Sequence, residues 1–117
     1  MPKVMQIQIN TDKTITLDIE LARFVKAEIT RALGRFESQL TRVEVHLSDV
    51  NSHKPGLHDK RCQIEARPAG RKPVSVNTQT ATVEEAVQGA ANKMKRLLMS
   101  AFGRTQSRRA SSVRRAA

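Results

Sequence analysis

The spacing of apolar side chains along this chain switches between two periods, and each switch marks a change of secondary structure. Met5, Ile7 and Ile9 alternate with Gln6, Gln8 and Asn10. Alternation of period two is the signature of a half-buried strand. From Asp18 to Phe36 the period lengthens: Leu21, Val25, Ile29, Ala32, Leu33 and Phe36 fall on one helical stripe. Asp18, or Thr16 before it, caps that helix, and Gly34 marks its fraying end. Period two returns at Val43, Val45 and Leu47, and again at Cys62, Ile64 and Ala66. A loop with Asn51, Pro55 and Gly56 lies between these two runs. After the basic turn 68–73, Val74 and Val76 predict a short fourth strand. Thr82 with Glu85 three residues later forms a capping box. It opens a second helix whose stripe is Val83, Ala86, Val87, Ala90, Met94, Leu97, Leu98 and Ala101.

The order is β-α-β-β-β-α, an α+β class. The three later strands have short connections and predict an antiparallel meander. One face of the four-stranded sheet is apolar and each helix has one apolar stripe, so both helices pack on that face. The outer helix surfaces then lie side by side and the other sheet face stays polar. This order is similar to that of double-stranded RNA-binding domains, which read duplex shape through helix faces and loops. Residues 1–102 make one domain. Residues 103–117 carry one large apolar side chain, Val113, and are expected to form a disordered Arg-rich tail.

Charge narrows the partners. The chain of 117 residues has 21 Lys and Arg against 11 Asp and Glu, a formal net charge of +10. Five arginines and no acid fall in 103–117, so half of the excess sits there. Nucleic acid is the leading partner for such a balance, with an anionic membrane surface second. The absence of Trp and Tyr argues against a platform that stacks single-stranded bases. A lone Cys62 excludes an internal disulfide framework and suits a reducing, cytoplasmic setting. No run of residues approaches a membrane span, and the first ten lack the apolar core of a signal peptide.

Arg23 and Lys26 on the first helix, and Lys93 and Arg96 on the second, are spaced by three, which sets each pair on one flank. They read as a phosphate track lining a groove between the helices. A solvated surface is the alternative for either helix alone, but two such helices with a basic turn and tail favour the track. His46, Asp49, His53, His58, Asp59 and Cys62 are too loosely spaced for zinc, and Cys62 reads as a buried structural thiol. Glu84 and Glu85 sit in a first helical turn, where carboxylates favour the dipole. No nucleophile, phosphate loop or acid–base constellation is present, so neither an enzyme nor a cofactor is expected.

The most specific stretch is Asp49-Val-Asn51-Ser-His-Lys54-Pro-Gly56-Leu-His-Asp59-Lys-Arg61-Cys62-Gln-Ile64-Glu65. It resembles the ribosome hibernation-promoting factors, a family that includes the ribosome-associated inhibitor and the proteins labelled sigma-54 modulation or S30EA. Met5-Gln-Ile-Gln-Ile9 and the segment Ala90-Ala-Asn-Lys93-Met-Lys95-Arg96-Leu97 look similar to that family as well. The resemblance covers residues 4–102. It departs at Thr82-Val-Glu-Glu-Ala86, where the family often has an acidic-Met-Tyr-Ala start. A basic tail also stands where long members carry a dimerisation domain, so the likeness is to the short form.

The resemblance implies a domain that binds the small ribosomal subunit and its ribosomal RNA, in the channel used by messenger RNA and the A- and P-site transfer RNAs. It implies a monomer that silences idle ribosomes by occlusion, and a family in which many members promote ribosome pairing. The implied RNA-contacting residues are Arg23, Lys26, Lys93, Lys95 and Arg96, with Lys54 and Arg61 from the matching loop and strand. A general double-stranded RNA-binding module and a sigma factor modulator acting by protein contact are the alternatives. The tail reads equally as an RNA-contacting arm or an idle appendage.

Overall fold

The computed structural model describes residues 5–50 and 59–116, with side chains as far as Gly103. Lys54, Pro55, Gly56, His53 and His58 lie outside the described residues. The chain forms β1 (Gln6–Thr11), α1 (Ile19–Leu33), β2 (Leu40–Asp49), β3 (Lys60–Pro68), β4 (Val74–Thr80) and α2 (Val83–Ala116). A 3-10 helix, Gly34–Gln39, joins α1 to β2. The expected β-α-β-β-β-α order is therefore the observed one.

The four strands form one sheet in the order β1-β2-β3-β4. β2, β3 and β4 are antiparallel neighbours, whereas β1 lies parallel to β2, with Ile7 beside Val43 and Ile9 beside Val45. A parallel pair needs a crossover, and α1 supplies it. Asp12 closes the end of β1: its Oδ1 accepts from Thr14 N and Oγ1, and its Oδ2 accepts from Asp49 N at 3.0 Å. These bonds, the Thr14 side chain foremost, hold the Asp12 carboxyl below its ordinary range.

The two candidate caps of α1 are resolved in favour of Asp18, whose Oδ1 accepts from Leu21 N at 2.7 Å. Gly34 does not end the helix in a left-handed turn; it stays right-handed and leads into the 3-10 helix. In α2, Thr82 Oγ1 accepts from Glu85 N at 3.1 Å, which is the forward half of the capping box.

One side of the sheet carries the core. Val43, Val45, Leu47, Cys62, Ile64 and Ala66 are fully or almost fully buried against Val25, Ile29 and Leu33 of α1 and Val87, Met94 and Leu98 of α2. Burial of each large aliphatic contributes about 1.5–3 kcal/mol. Cys62 belongs to this core, and burial pushes its thiol up to about 12.

Two details differ from the sequence reading. β4 is longer than Val74 and Val76 suggest: Asn77, Thr78, Gln79 and Thr80 continue the ladder against Gln63, Cys62, Arg61 and Lys60. Leu97, expected in the core stripe, is 39% exposed, and Phe102 is buried in its stead. Leu97 follows Lys93 by one helical turn and shares its flank at the margin of the sheet. Phe102 packs on Phe36, with ring centroids 5.5 Å apart. Among the described residues it is the last buried side chain of α2, while the helical backbone continues into the Arg-rich segment.

Candidate nucleic-acid interface

α1 and α2 run in the same direction across the sheet. Their N-terminal ends share an open recess of about 520 Å³ lined by Asp18, Leu21, Phe24, Val83 and Glu84. Their far ends meet where Phe36 packs on Phe102 and Arg35 Nη1 donates to Met99 Sδ at 3.9 Å. Leu21 and Phe24 thus mark the flank of α1 that faces α2, and Met99 and Phe102 mark the flank of α2 that faces α1.

These markers place the sequence-predicted bases. Lys26 lies roughly opposite Phe24 around α1, so it points away from α2. Lys93 lies on the far flank of α2, where its Nζ donates to the Asn77 carbonyl of β4 at 3.0 Å. Arg23 and Arg96 sit near the solvent crests of their helices, and both are exposed. Of the five, only Lys95 falls on the flank between the helices, where it is half-buried. The expected inter-helix groove is therefore not what these residues line. They spread over one broad convex surface, because equal spacing along two helices does not fix which flank each turns to its neighbour.

Arg61 is elsewhere. It stands between Ser48 and Gln79 in the sheet register, on the face away from the helices, and its buried Nε has no hydrogen-bond partner. Lys54 belongs to the undescribed 51–58 segment.

The two faces differ in how their charge is arranged. On the open sheet face Arg42 pairs with Glu44 at 2.8 Å and Arg67 with Glu65 at 3.1 Å. Glu44 lies beside Glu65, and Arg42 beside Arg67, so each pair offsets the like-charge contact of the other. On the helix face, Arg23, Lys26, Lys93, Lys95 and Arg96 form no ion pair with any described residue. Arg31 is the exception there, bridged to Glu28 at 2.8 Å.

Charge also varies along the helix axis. Asp18, Glu20, Glu84 and Glu85 cluster at the shared N-terminal end, with Asp12, Asp49 and Asp59 at the strand ends beneath. Lys60 bridges Asp49 at 2.7 Å there, and that contact raises its pKa. The opposite end holds Arg35, Arg71 and Lys72, beyond which α2 carries Arg104 to Arg115.

Among the described residues no three His, Cys, Asp or Glu side chains gather as a metal site. No described helix is long and apolar enough to cross a membrane.

Residues 7–105 match the profile of the family described as Sigma 54 modulation protein / S30EA ribosomal protein. No curated protein matches the sequence. Two solved structures share the fold. The N-terminal domain of Protein Y from Thermus thermophilus superposes with a TM-score of 0.64 at 18% identity, over 80% of this chain and 94% of that one. A ribosomal subunit interface protein from Coxiella burnetii superposes with a TM-score of 0.67 at 12% identity, over 85% of this chain and 99% of that one. With the profile spanning most of the chain, from the first strand into the second helix, the protein belongs to the Sigma 54 modulation protein / S30EA ribosomal protein family, the one its 49–65 segment resembles.

Proposed function

We propose that this chain binds the small ribosomal subunit through its helix face and silences translation by occupying the channel of messenger RNA and the A- and P-site transfer RNAs. The observation that carries the reading is the unpaired basic surface on α1 and α2, set against a sheet face whose Arg and Glu neutralise each other. A desolvated phosphate needs an uncommitted cation, and among the described residues the helix face offers several without an ion pair. Family membership supports a ribosomal partner, as does the similarity in fold to a ribosomal subunit interface protein. The action is steric and needs no catalytic residue or cofactor. A rigid domain that fits one site by shape loses little ordering entropy on binding. The chain acts as a monomer, and residues 103–117 serve as an Arg-rich arm that adds charge.

Sedimentation with purified ribosomal particles, with transfer RNA as competitor, tests this reading. The chain should travel with the small subunit and be displaced by transfer RNA. Equal binding to any RNA duplex would instead point to a general double-stranded RNA module. The family description also names sigma 54 modulation. Capture of sigma factor by the purified chain, with no binding to ribosomes, would favour that reading. Any promotion of ribosome pairing would show in the same gradients as a faster particle.

A further inference from the structure

α2 does not stop where the core stops. Phe102 is its last buried side chain among the described residues, yet the helical backbone runs on to Ala116. A helix of 34 residues is about 51 Å long at the rise of an α-helix. The molecule measures 63 × 32 × 21 Å, so only its longest axis holds such a rod. The radius of gyration is 16.6 Å, where a compact chain of this length has about 13 Å. The last turns of α2, past Phe102, therefore project from the domain.

The composition of this projection decides what it can meet. Its one large apolar side chain is Val113, so it has no apolar stripe to seat in a protein groove or on a lipid surface. It holds five arginines, and no Asp or Glu follows Glu85 anywhere in the chain. At the helical repeat, Arg104, Arg108, Arg114 and Arg115 fall within an arc of about 120°, and Arg109 falls on the opposite side. Continued back along α2, the same arc passes through Lys93 and Arg96. Like charges four residues apart, as at Arg104 and Arg108, repel along a helix.

We infer that this projection is an RNA-binding helix whose Arg104, Arg108, Arg114 and Arg115 face lies along phosphodiester oxygens and extends the surface of Lys93 and Arg96. A row of phosphates supplies the missing anions and removes the repulsion, so contact and helix support each other. The helix also spaces its charges: about 6 Å along the axis from Arg104 to Arg108, and about 10 Å from Arg108 to Arg115. The plainer role of cations late in a helix is to offset its C-terminal partial charge. That accounts for Arg114 and Arg115 in the last turn, but neither for Arg104 and Arg108 nor for the shared arc. This helix site rests on the proposed ribosomal function, and gives the Arg-rich arm a face and a direction.

Full-length variants bound to purified small subunits test the face. Arg108→Gln and Arg109→Gln remove the same charge at adjacent positions. Arg108→Gln should weaken binding about fivefold or more. It should also make the log–log salt slope shallower by about 0.7–0.9, the share of one contact. Arg109→Gln should change affinity by less than about twofold and leave the slope as it is. Ala110→Pro keeps every charge but breaks the helix ahead of Arg114 and Arg115, and should cost about as much affinity as Arg108→Gln. Position 110 lies past Phe102, so the melting temperature of the domain should hold. Equal losses from Arg108→Gln and Arg109→Gln, with wild-type affinity in Ala110→Pro, describe a loose charged arm and overturn the helix site alone. A wild-type chain that fails to sediment with small subunits overturns the proposed function and this site with it.

Discussion

The Cβ that Gly89 lacks would fall 2.9 Å from Cγ2 of Thr78, so α2 rests directly on β4 at this point. Glycine inside a helix costs about 1 kcal/mol relative to alanine, so Gly89→Ala on an open helix would stabilise. Here it should destabilise, because the methyl group meets a β-branched side chain with little room to turn. In the Thr78→Ala background the obstructing methyl is gone, and the same Gly89→Ala change should become neutral or stabilising. Urea unfolding of the four proteins should give a coupling of about 1–2 kcal/mol, within the range for residues in contact. Additivity would show that the helix lifts away at no cost.

Thr78 supports a second expectation. Its Oγ1 is buried without a hydrogen-bond partner. Thr78→Val keeps the shape and removes the unsatisfied hydroxyl, so stability should rise by about 1 kcal/mol, the lower part of the desolvation penalty for such a group. A drop in the urea midpoint would mean that the hydroxyl is satisfied in solution.

Charge reversal distinguishes the two faces. Arg23→Glu with Arg96→Glu changes two exposed crest residues, so stability should move by about half a kcal/mol or less. Binding to small subunits should nevertheless fall steeply, and inhibition in a translation extract should ease. Gln6→Glu with Gln8→Glu adds the same sign of charge to the open sheet face and should change little. Lys93→Glu should be the costlier helix variant for folding, since it also removes the Nζ bond to Asn77. The opposite ranking in the extract, with the sheet pair abolishing inhibition, would put the RNA on the other face.

Cys62 sets an alkaline limit. Burial raises its thiol from 9.0 to about 12, so the unfolded chain ionises first and stability should decline as pH rises between those values. Cys62→Ala should flatten that decline while costing on the order of 1–2 kcal/mol at neutral pH through the lost packing. Ribosome binding by the folded variant should persist. An alkaline limb unchanged by the substitution would assign the decline to other groups.

Asp12 sets an acid limit of the opposite sign. Its folded pKa lies below 3.8, so its contribution is present above that value and fades as pH falls through the lower folded one. Asp12→Asn should make stability less sensitive to pH below about 4, as followed by far-ultraviolet dichroism during acid titration.

Most of the architecture was legible because apolar periodicity reports directly on burial. The alternation of Val43, Val45 and Leu47, and of Cys62, Ile64 and Ala66, sets the core face of two central strands, and the structure keeps it. β4 outruns its apolar pattern because its second half turns Thr78 and Thr80, both half-buried, toward the core side where larger apolar residues would mark a strand. The candidate interface was legible as a set of cations but not as a shape. Spacing says that Lys93 and Arg96 are neighbours on the helix surface; it cannot say that Lys93 turns to β4 and Arg96 to solvent, and neither to α1. Nor can it show that Arg35 and Arg71, 36 positions apart in the numbering, stack on two rings that touch.

The parallel course of the two helices, with carboxylates at one end and arginines at the other, makes the domain an electric dipole with a definite head. A body of this kind feels torque as well as attraction near a polyanion. It turns before it touches, presenting the end of Arg35, Arg71 and Lys72 and trailing the end of Asp18, Glu20, Glu84 and Glu85. In a narrow RNA-walled channel, such alignment would set which end enters first and reduce the share of encounters that must dissociate and retry. Raising the ionic strength should therefore slow arrival more than it hastens departure.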